Sequence, residues 1–472
     1  MQNNHNILLL YIAERRAKNA NTLFDHLDAL RCNSRNSIYA VNFRTSISLD
    51  RLFSKLSSVV NYMDVVVIHY SIPSFVTLYR KLLSDLLKDF VGMKVVFIQD
   101  EYRYIDFVNE SFLEFGIDVL FSCQGKDVTD VIYSKVKKES NVIIKQTFTG
   151  YIPQDLLKIK SVPIKKRKLH IAYRGRELPY YYGSISQEKR IIGEEFLKYA
   201  KTINLKCDIN SNEKKRKYGK EWIKFLLSAK CTLGVESAIS IADFRGEIFD
   251  KAPKYMEKYP NVPFQTIKNK FFPGRENKIK FSVISPRIFE AICLKTAMVL
   301  FEGRYSGVVI PWKHYIPLKK DFSNINEVCK LVADDIFLQK MVDNAYQDIA
   351  LNSKYYYTYF AKEFDQVIQE EYIKRGFKKV KITIKQNFIL RVVFFLSILR
   401  LSFFYYLWQG IEKIILVQHK VLNFIYKVLG VYYHAGHRGV NFFYKVGIKI
   451  YCWGHKLLDM QRNIKKLLIK ID

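Results

Sequence analysis

The sequence of 472 residues lacks the short motifs of several well-known chemistries. It contains no G-x-G-x-x-G or P-loop segment, no H-E-x-x-H zinc motif and no G-x-S-x-G nucleophile elbow. Its 7 cysteines form no C-x-x-C pair and show no zinc-like spacing, which favours reduced thiols in a cytoplasmic protein. We therefore expect no metal site, no bound cofactor and no covalent serine or cysteine intermediate.

Signals for export and for crossing a membrane are weak as well. The apolar run at residues 7–12 is too short for the core of a signal peptide, so we expect no export. Residues 388–408 are nearly all apolar, but Arg391 and Arg400 interrupt them and leave too short a stretch to span a bilayer. A spanning helix at 388–408 is therefore not favoured.

The net charge of +31 predicts attraction to a polyanion. Nucleic acid, an anionic membrane leaflet and phosphate-bearing substrates would all satisfy this charge. The sequence contains no helix-turn-helix, zinc-finger or RNA-binding signature, so we do not expect nucleic acid as a partner.

Two series of short, β-branched apolar runs alternate with amphipathic stretches, which indicates parallel strands joined by helices. The first series has strands at 7–12, 65–69, 94–99, 119–122 and 142–146, and helices at 22–31 and 75–90. The second has strands at 169–173, 206–209, 231–235 and 296–301, and helices at 187–202, 220–229, 286–294 and 325–348. We expect an α/β protein with Rossmann-like lobes at 1–160 and 161–372 that face a cleft, a hinge near 150–168, and a third region at 373–472.

Open α/β sheets bind ligands beyond the carboxyl ends of their strands, so the residues that follow each strand are candidate ligand contacts. Arg174, Gly175 and Arg176 follow the first strand of the second lobe, where paired arginine donors would suit a pyrophosphate; a solvated basic loop is the alternative. Glu236 and Ser237 follow the strand at 231–235 and would suit phosphate or sugar hydroxyls, unless they form an ordinary capped turn.

The segment SPRIFEA at 285–291 has the features of a helix start. Ser285 is a natural N-cap and Pro286 fits the first turn, so this helix end with Arg287 would bind an anion. Glu290 would accept hydrogen bonds from both ribose hydroxyls of a nucleotide, or would merely complement the helix dipole. After the next strand, a loop with close backbone approach would border the nucleotide; its candidate residues are Gly303, Tyr305, Ser306 and Gly307.

The first lobe offers candidates for proton transfer and for acceptor binding. Asp100 and Glu101 follow the strand at 94–99 and His69 follows another, so each is placed to act as a general base; the alternative for the acids is a strand-to-helix cap. A basic loop before the first helix would hold a phosphate on the acceptor, or form a solvated charge cluster. Its residues are Arg15, Arg16 and Lys18.

Taken together, the segments 173–180, 233–237, 284–291 and 305–321 resemble bacterial GT-B glycosyltransferases, in particular the CgeB-like group. The resemblance covers about residues 1–372 and is strongest at P-R-x-F-E-A. It implies a nucleotide-sugar donor on the second lobe, Glu290 as the ribose ligand, phosphate binding by Arg174, Arg176 and Arg287 without a metal, and a final helix at 355–372 that returns to the first lobe. Many retaining relatives carry another acid eight residues before this glutamate. Here Ser282 stands in that place, which leaves retention or inversion open.

From about residue 374 onward, lysine and arginine far outnumber acids among aromatic and aliphatic residues. Lys413, Lys420 and Lys427 recur every seven residues and would form one basic stripe on a helix that lies in an anionic membrane surface. An extra helical subdomain or a homo-oligomerising coiled coil is the alternative. The functional hypothesis is thus sugar transfer to a cell-surface glycan or lipid-linked acceptor at the inner membrane face. The competing hypothesis is a non-catalytic, membrane-associated module that binds nucleotide sugars or glycans.

Overall fold

The computed structural model describes residues 4–14, 21–44, 53, 56–73, 75–383 and 386. The chain divides into a compact unit, Met1–Ile384, and a second unit, Lys385–Asp472. The loop with Arg15, Arg16 and Lys18 lies outside the described residues, as does almost all of the cationic tail. Within the described ranges, no helix is long and apolar enough to cross a bilayer.

The first lobe is built on a six-stranded parallel sheet with strand order β2-β1-β3-β4-β5-β6. Its strands are β1 (Asn6–Tyr11), β2 (Ser37–Asn42), β3 (Val65–Ile68), β4 (Met93–Ile98), β5 (Val119–Ser122) and β6 (Ile143–Gln146). The helices are α1 (Asn21–Asn33), α2 (Thr77–Leu87), α3 (Ile105–Phe115), α4 (Lys126–Ile132), α5 (Ser134–Glu139) and α6 (Gln154–Leu157). Strands β3 and β5 are buried throughout, because helices cover both faces of the sheet.

The second lobe contains a five-stranded parallel sheet with strand order β13-β12-β9-β7-β8 and a small two-stranded antiparallel sheet of β10 and β11. Its strands are β7 (Leu169–Arg174), β8 (Cys207–Asn210), β9 (Ala229–Gly234), β10 (Ser237–Ile239), β11 (Phe281–Val283), β12 (Ala297–Phe301) and β13 (Ile316–Leu318). The helices are α7 (Ser184–Thr202), α8 (Gly219–Leu227), α9 (Glu247–Lys258), α10 (Phe264–Phe271), α11 (Pro286–Cys293), α12 (Ile325–Ala333) and α13 (Asp335–Ala345).

The helix α14 (Tyr357–Lys374) follows the second lobe in sequence but packs on the first. Phe360 and Phe364 lie against Phe97 of β4, with ring centroids 5.8 and 5.9 Å apart. The Asp365 carboxylate accepts hydrogen bonds from the Ser34 hydroxyl at 2.6 Å and the Asn36 amide at 2.7 Å. After the second lobe the chain therefore returns to the first lobe, where α14 packs on the sheet that contains β1.

The prediction of two Rossmann-like lobes in the GT-B arrangement is confirmed. One predicted helix, at 325–348, is instead two helices. The Asp334 side chain accepts hydrogen bonds from the backbone N–H groups of Ile336 and Phe337, which caps a new helix and ends the preceding one.

The two lobes touch at two places. At the first, the Thr149 hydroxyl donates to the Ile284 carbonyl at 2.7 Å. At the second, the Asp243 N–H donates to the Tyr102 carbonyl at 2.8 Å, and the Ile105 N–H donates to the Asp243 carbonyl at 3.2 Å. These contacts place the carboxyl end of β4 beside the second lobe.

Candidate functional site

A cavity opens toward the carboxyl ends of the second sheet. It lies between β7, β9 and β12 on one side and the helices α7, α8 and α11 on the other. Its polar and aromatic lining includes Arg176, Lys189, Arg216, Trp222, Ser285 and Arg287. Among the described residues, no acid lines this cavity. Four cationic side chains therefore converge on one space without a carboxylate among them.

The cations come from four different segments. Arg176 lies two residues after β7, Lys189 is in the second turn of α7, Arg216 follows β8, and Arg287 is the second residue of α11. Burial, together with the charges of Arg287 and Arg176, lowers the pKa of Lys189 to about 8. The cations thus destabilise one another's charge, and a bound anion would relieve that repulsion.

The arginines differ in how firmly they are held. Arg287 donates to the Arg174 carbonyl at 2.6 Å and stacks over the Trp222 ring at 4.9 Å. Arg216 pairs at 2.7 Å with Glu213, whose side chain is 66% exposed, so solvent screens that pair. Arg287 is therefore fixed in the cavity wall, whereas Arg216 would exchange a weak partner for a ligand.

The first turn of α11 points at the same cavity. Ser285 occupies the N-cap position without forming a side-chain capping bond, and Pro286 follows it. Ser285 and Arg287 both line the cavity. The positive end of the helix dipole and a hydroxyl are thus added to the four cations.

Glu290 lies beside this cavity, one turn along α11 from Arg287. Its Oε2 accepts a hydrogen bond of 2.7 Å from the Trp222 indole N–H. Burial raises the pKa of Glu290, the Trp222 and Arg287 contacts lower it, and the charge of Asp25 in the first lobe raises it. The carboxylate is therefore held in one orientation at the edge of the cavity and faces the first lobe.

A second set of predicted residues builds the neighbouring loop and does not line the cavity. Glu236 Oε1 accepts from the Tyr305 N–H at 2.8 Å, and a Cβ at Gly303 would lie 2.8 Å from Glu236 Oε2. The Ser306 hydroxyl accepts from the Ile284 N–H at 3.1 Å, just before α11. Gly307 follows with a φ of 73°. These four residues and Tyr305 hold the loop after β12 against the start of α11.

Gly175 and Ser237 also have structural surroundings. A Cβ at Gly175 would lie 2.5 Å from the Ser211 hydroxyl oxygen and 2.6 Å from the Lys189 carbonyl, so only glycine lets β7 approach α7 this closely. Ser237 is paired with Val283 in the two-stranded antiparallel sheet of β10 and β11. Neither residue lines the cavity.

Arg174 is not available to a phosphate in this arrangement, contrary to the expectation from sequence. Its guanidinium donates to the carbonyls of Tyr173, Asp208 and Lys215 and to the Asp208 carboxylate, at 2.9–3.0 Å. It also lies 4.2 Å above the Phe225 ring. A buried arginine with these partners joins β7 to β8, and Arg176 is the arginine of this loop that faces the cavity.

Asp100 is the predicted base that lies at the cleft. It has a left-handed backbone with φ of 56°, and its side chain is 60% exposed. Its charge raises the pKa of Lys189 on the opposite lobe, against the larger lowering by burial and by the arginines. Asp100 is therefore an exposed carboxylate at the end of β4, and it lies 3.8 Å from the Arg103 guanidinium.

Glu101 and His69 are turned into the first lobe, so neither is positioned as the predicted base. Glu101 accepts from the Ser122 hydroxyl at 2.5 Å and from Tyr133 at 3.0 Å, and burial raises its pKa to about 7. His69 is fully buried and 3.1 Å from His26, and burial holds its pKa well below the ordinary range. A hydrogen-bonded interior position excludes both from contact with an acceptor in the cleft.

Sequence reasoning missed Lys189, Arg216 and Trp222. Lys189 and Arg216 each belong to a charged run, at 188–190 and 213–217 respectively. In the structure both side chains lie near the carboxyl ends of the strands of the second sheet. Placement beside a strand end was thus the available signal. Trp222 gave none, because an aromatic residue on an amphipathic helix is ordinarily a core residue.

Within the described part of the chain, no three His, Cys, Asp or Glu side chains gather into a group that would hold a metal ion. Metal independence remains a prediction, since the described ranges do not cover the whole chain.

No protein-family model matches the chain. Solved structures similar to it include an alpha-glucosyltransferase in complex with UDP-glucose and DNA containing an abasic site; the TM-score is 0.49 at 11% identity, over 78% of this chain and 100% of that chain. An alpha-glucosyltransferase (AGT) in complex with UDP has a TM-score of 0.45 at 11% identity, over 77% of this chain and 100% of that chain. Anabaena Alr3699/HepE in complex with UDP has a TM-score of 0.44 at 8% identity, over 77% of this chain and 100% of that chain. At these scores the likeness assigns no role to any residue of this chain.

Proposed function

We propose that this protein is a glycosyltransferase of the CgeB-like group. It moves a sugar from a nucleoside diphosphate sugar to a cell-surface glycan or lipid-linked acceptor at the cytoplasmic face of the membrane. The observation that carries the proposal is the convergence of Arg176, Lys189, Arg216 and Arg287 on one cavity with no acid in its lining among the described residues.

The two negatively charged phosphates of a nucleoside diphosphate sugar match this cavity in charge. When the sugar leaves, the bond from its anomeric carbon to the phosphate oxygen breaks and negative charge develops on that oxygen. Cations and a helix N-terminus that are already in place stabilise this charge without a metal ion. Arg176, Lys189 and Arg287 are our choices for this role, with Ser285 as an additional donor.

The nucleoside lies toward Glu290 in this proposal. A ribose offers two neighbouring hydroxyl donors, and a carboxylate accepts both. The Trp222 bond to Oε2 leaves Oε1 of Glu290 to face the ligand. The remaining donor-lobe residues, Glu236, Gly303 and Tyr305 among them, support the loop beside the diphosphate.

The acceptor approaches from the first lobe. Its hydroxyl oxygen bonds to the anomeric carbon while the phosphate departs, and its proton must be taken up. In an inverting reaction Asp100 takes that proton; in a retaining reaction the leaving phosphate takes it. The loop with Arg15, Arg16 and Lys18 is proposed to hold a phosphate of the acceptor, and residues 374–472 to contact anionic lipid.

A nucleotide-sugar panel tests the proposal. We expect one or more nucleoside diphosphate sugars to raise the melting temperature of the full chain, with and without EDTA, and Lys189→Met to abolish the shift. Lys198→Met on the same helix is the matched control, because Lys198 is 69% exposed and, among the described residues, is paired with the acid Glu195 on its own helix. The absence of any shift, or an equal loss in both variants, would contradict the proposal. Donor binding without transfer or hydrolysis across many acceptors would favour the non-catalytic module.

A further inference from the structure

The first turns of α1 and α11 meet at a single glycine between the lobes. A Cβ at Gly150 would lie 2.5 Å from Thr22 Cγ2 and 3.0 Å from Pro286 Cγ. Asp25 is three residues beyond Thr22 and Glu290 is four beyond Pro286, so each carboxylate lies on the same helix face as the contact residue. The helices thus bring two carboxylates from opposite lobes toward each other, and the charge of Asp25 acts on the Glu290 carboxyl.

Tyr357, the first residue of α14, brings a hydroxyl to the same place. That hydroxyl is buried and has no hydrogen-bond partner within the described residues. Burial holds the pKa of Tyr357 well above the ordinary range, and the charges of Asp25 and Glu290 raise it further, whereas the nearby Tyr151 backbone N–H lowers it. An unsatisfied buried hydroxyl costs free energy, so its retention points to a ligand.

Tyr70 continues this line of polar groups toward Asp100. Its ring lies 3.9 Å from the His69 ring, at the end of β3. Burial raises the pKa of Tyr70, and the charges of Asp25 and Asp100 act in the same direction. Tyr70 therefore lies within the field of the carboxylate beside Glu290 and of the proposed base.

We propose that Asp25, Tyr70 and Tyr357 form a binding site for pyranose hydroxyls that runs between Glu290 and Asp100. The site rests on the proposed function and extends it to the sugar itself. A carboxylate accepts hydrogen bonds from sugar hydroxyls, and a tyrosine hydroxyl both donates and accepts. Phosphate is repelled here by the carboxylates and attracted by the neighbouring cations, so charge would separate the position of the diphosphate from that of the sugar.

Tyr357→Phe is the cleanest test, since it keeps the packing and removes only the unpaired hydroxyl. We expect an equal or higher melting temperature, an unchanged Kd for free nucleoside diphosphate, and a rise of about 3- to 10-fold in Kd or KM for the substrate whose pyranose lies there. Asp25→Asn should change the same constant. Tyr356→Phe is the matched control: its hydroxyl donates to the Ala350 carbonyl at 2.8 Å, so the melting temperature should fall with no change in KM.

The affected substrate identifies the source of the pyranose. Weaker binding of the nucleotide sugar relative to the free nucleoside diphosphate assigns the site to the donor's sugar. A rise confined to the KM of the acceptor assigns it to the acceptor. If Tyr357→Phe and Asp25→Asn both bind and transfer as the wild type does, the inference is wrong and the proposed function stands. If the wild type binds no nucleoside diphosphate sugar, the proposed function is wrong, and this site is lost with it.

Discussion

The Trp222 indole N–H donates a hydrogen bond of 2.7 Å to the Glu290 carboxylate. The two residues come from different helices, and the Arg287 guanidinium lies 4.9 Å over the same indole ring. Burial raises the pKa of Glu290, whereas the indole bond and Arg287 lower it. Trp222 therefore helps to keep this carboxylate ionised and fixes its direction.

Replacing Trp222 by phenylalanine removes that bond and retains an aromatic ring. We expect the Kd of a nucleoside diphosphate to rise about tenfold, because the carboxylate loses the partner that orients it toward the ribose. Calorimetric titration would measure this. Pyrophosphate, which has no ribose, is the control ligand and should bind as before; an equal loss for both ligands would contradict the ribose role of Glu290.

Arg174 and Arg176 lie two residues apart in sequence, and we expect their replacement to affect different properties, stability in one case and ligand binding in the other. Arg174→Met removes a buried guanidinium with four hydrogen bonds and leaves the partly buried Asp208 unpaired, so we expect the free energy of unfolding to fall by about 3 kcal/mol. Arg176→Met should leave stability unchanged and weaken nucleotide-sugar binding. Urea denaturation and calorimetric titration of both variants would check this. The assignment fails if Arg176→Met is the destabilised variant.

Lys189 predicts how donor binding depends on pH. Its pKa of about 8 means that the free protein loses this positive charge as pH rises through 8, while the two phosphates of a nucleotide sugar keep theirs. The Kd should therefore increase above pH 8 and level off once the higher pKa of the ligand-bound lysine is passed. Lys189→Arg should bind with little pH dependence over the same range. A flat profile for the wild type would show that Lys189 does not contact the phosphates.

The sequence pattern was sufficient for the central strands and for some of their connecting helices, but α3, α4 and α5, which connect β4 to β5 and β5 to β6, were not predicted. The segments 65–68 and 119–121 are apolar throughout because both sheet faces are covered, which is a strong signal. The sequence did not predict the edge strands β2 and β13 or the two-stranded sheet of β10 and β11. Strand β2 is only half-buried, and the others are three residues long, so neither apolar continuity nor alternation marks them.

The sequence predicted where in the fold the candidate site lies, but not which side chains there face the cleft. Asp100 and Glu101 are adjacent after β4, yet Asp100 is exposed and Glu101 is buried against Ser122. The backbone at Asp100 is left-handed, so the side-chain alternation of a regular strand does not predict their directions. Arg174 and Arg176 differ as a result of tertiary partners on β8 that sequence order does not reveal. Strand-end position therefore found the region, and packing decided which side chains face a ligand.

Glu101 should make the stability of the first lobe depend on pH. An unfolded carboxyl titrates near its ordinary value of 4.5, whereas burial raises the pKa of Glu101 to about 7. Between these values the folded state retains a proton that the unfolded state has released, so stability falls as pH rises and then levels off above 7. The loss is about 3 kcal/mol at most. In urea denaturation, Glu101→Gln should lose less stability than the wild type between pH 5 and 8; parallel curves would contradict this.

Gly150 sets how closely the two lobes approach. Alanine there would place its Cβ 2.5 Å from Thr22 Cγ2 and 3.0 Å from Pro286 Cγ, so the starts of α1 and α11 must separate. We expect Gly150→Ala to widen the cleft, seen as a larger radius of gyration in X-ray scattering. We also expect a fall in kcat/KM, because Asp25 and Asp100 move away from the donor lobe. Adding Thr22→Ser removes the nearer methyl group and should restore part of both quantities. If Gly150→Ala scatters and transfers sugar as the wild type does, close contact at this glycine is not required for the reaction.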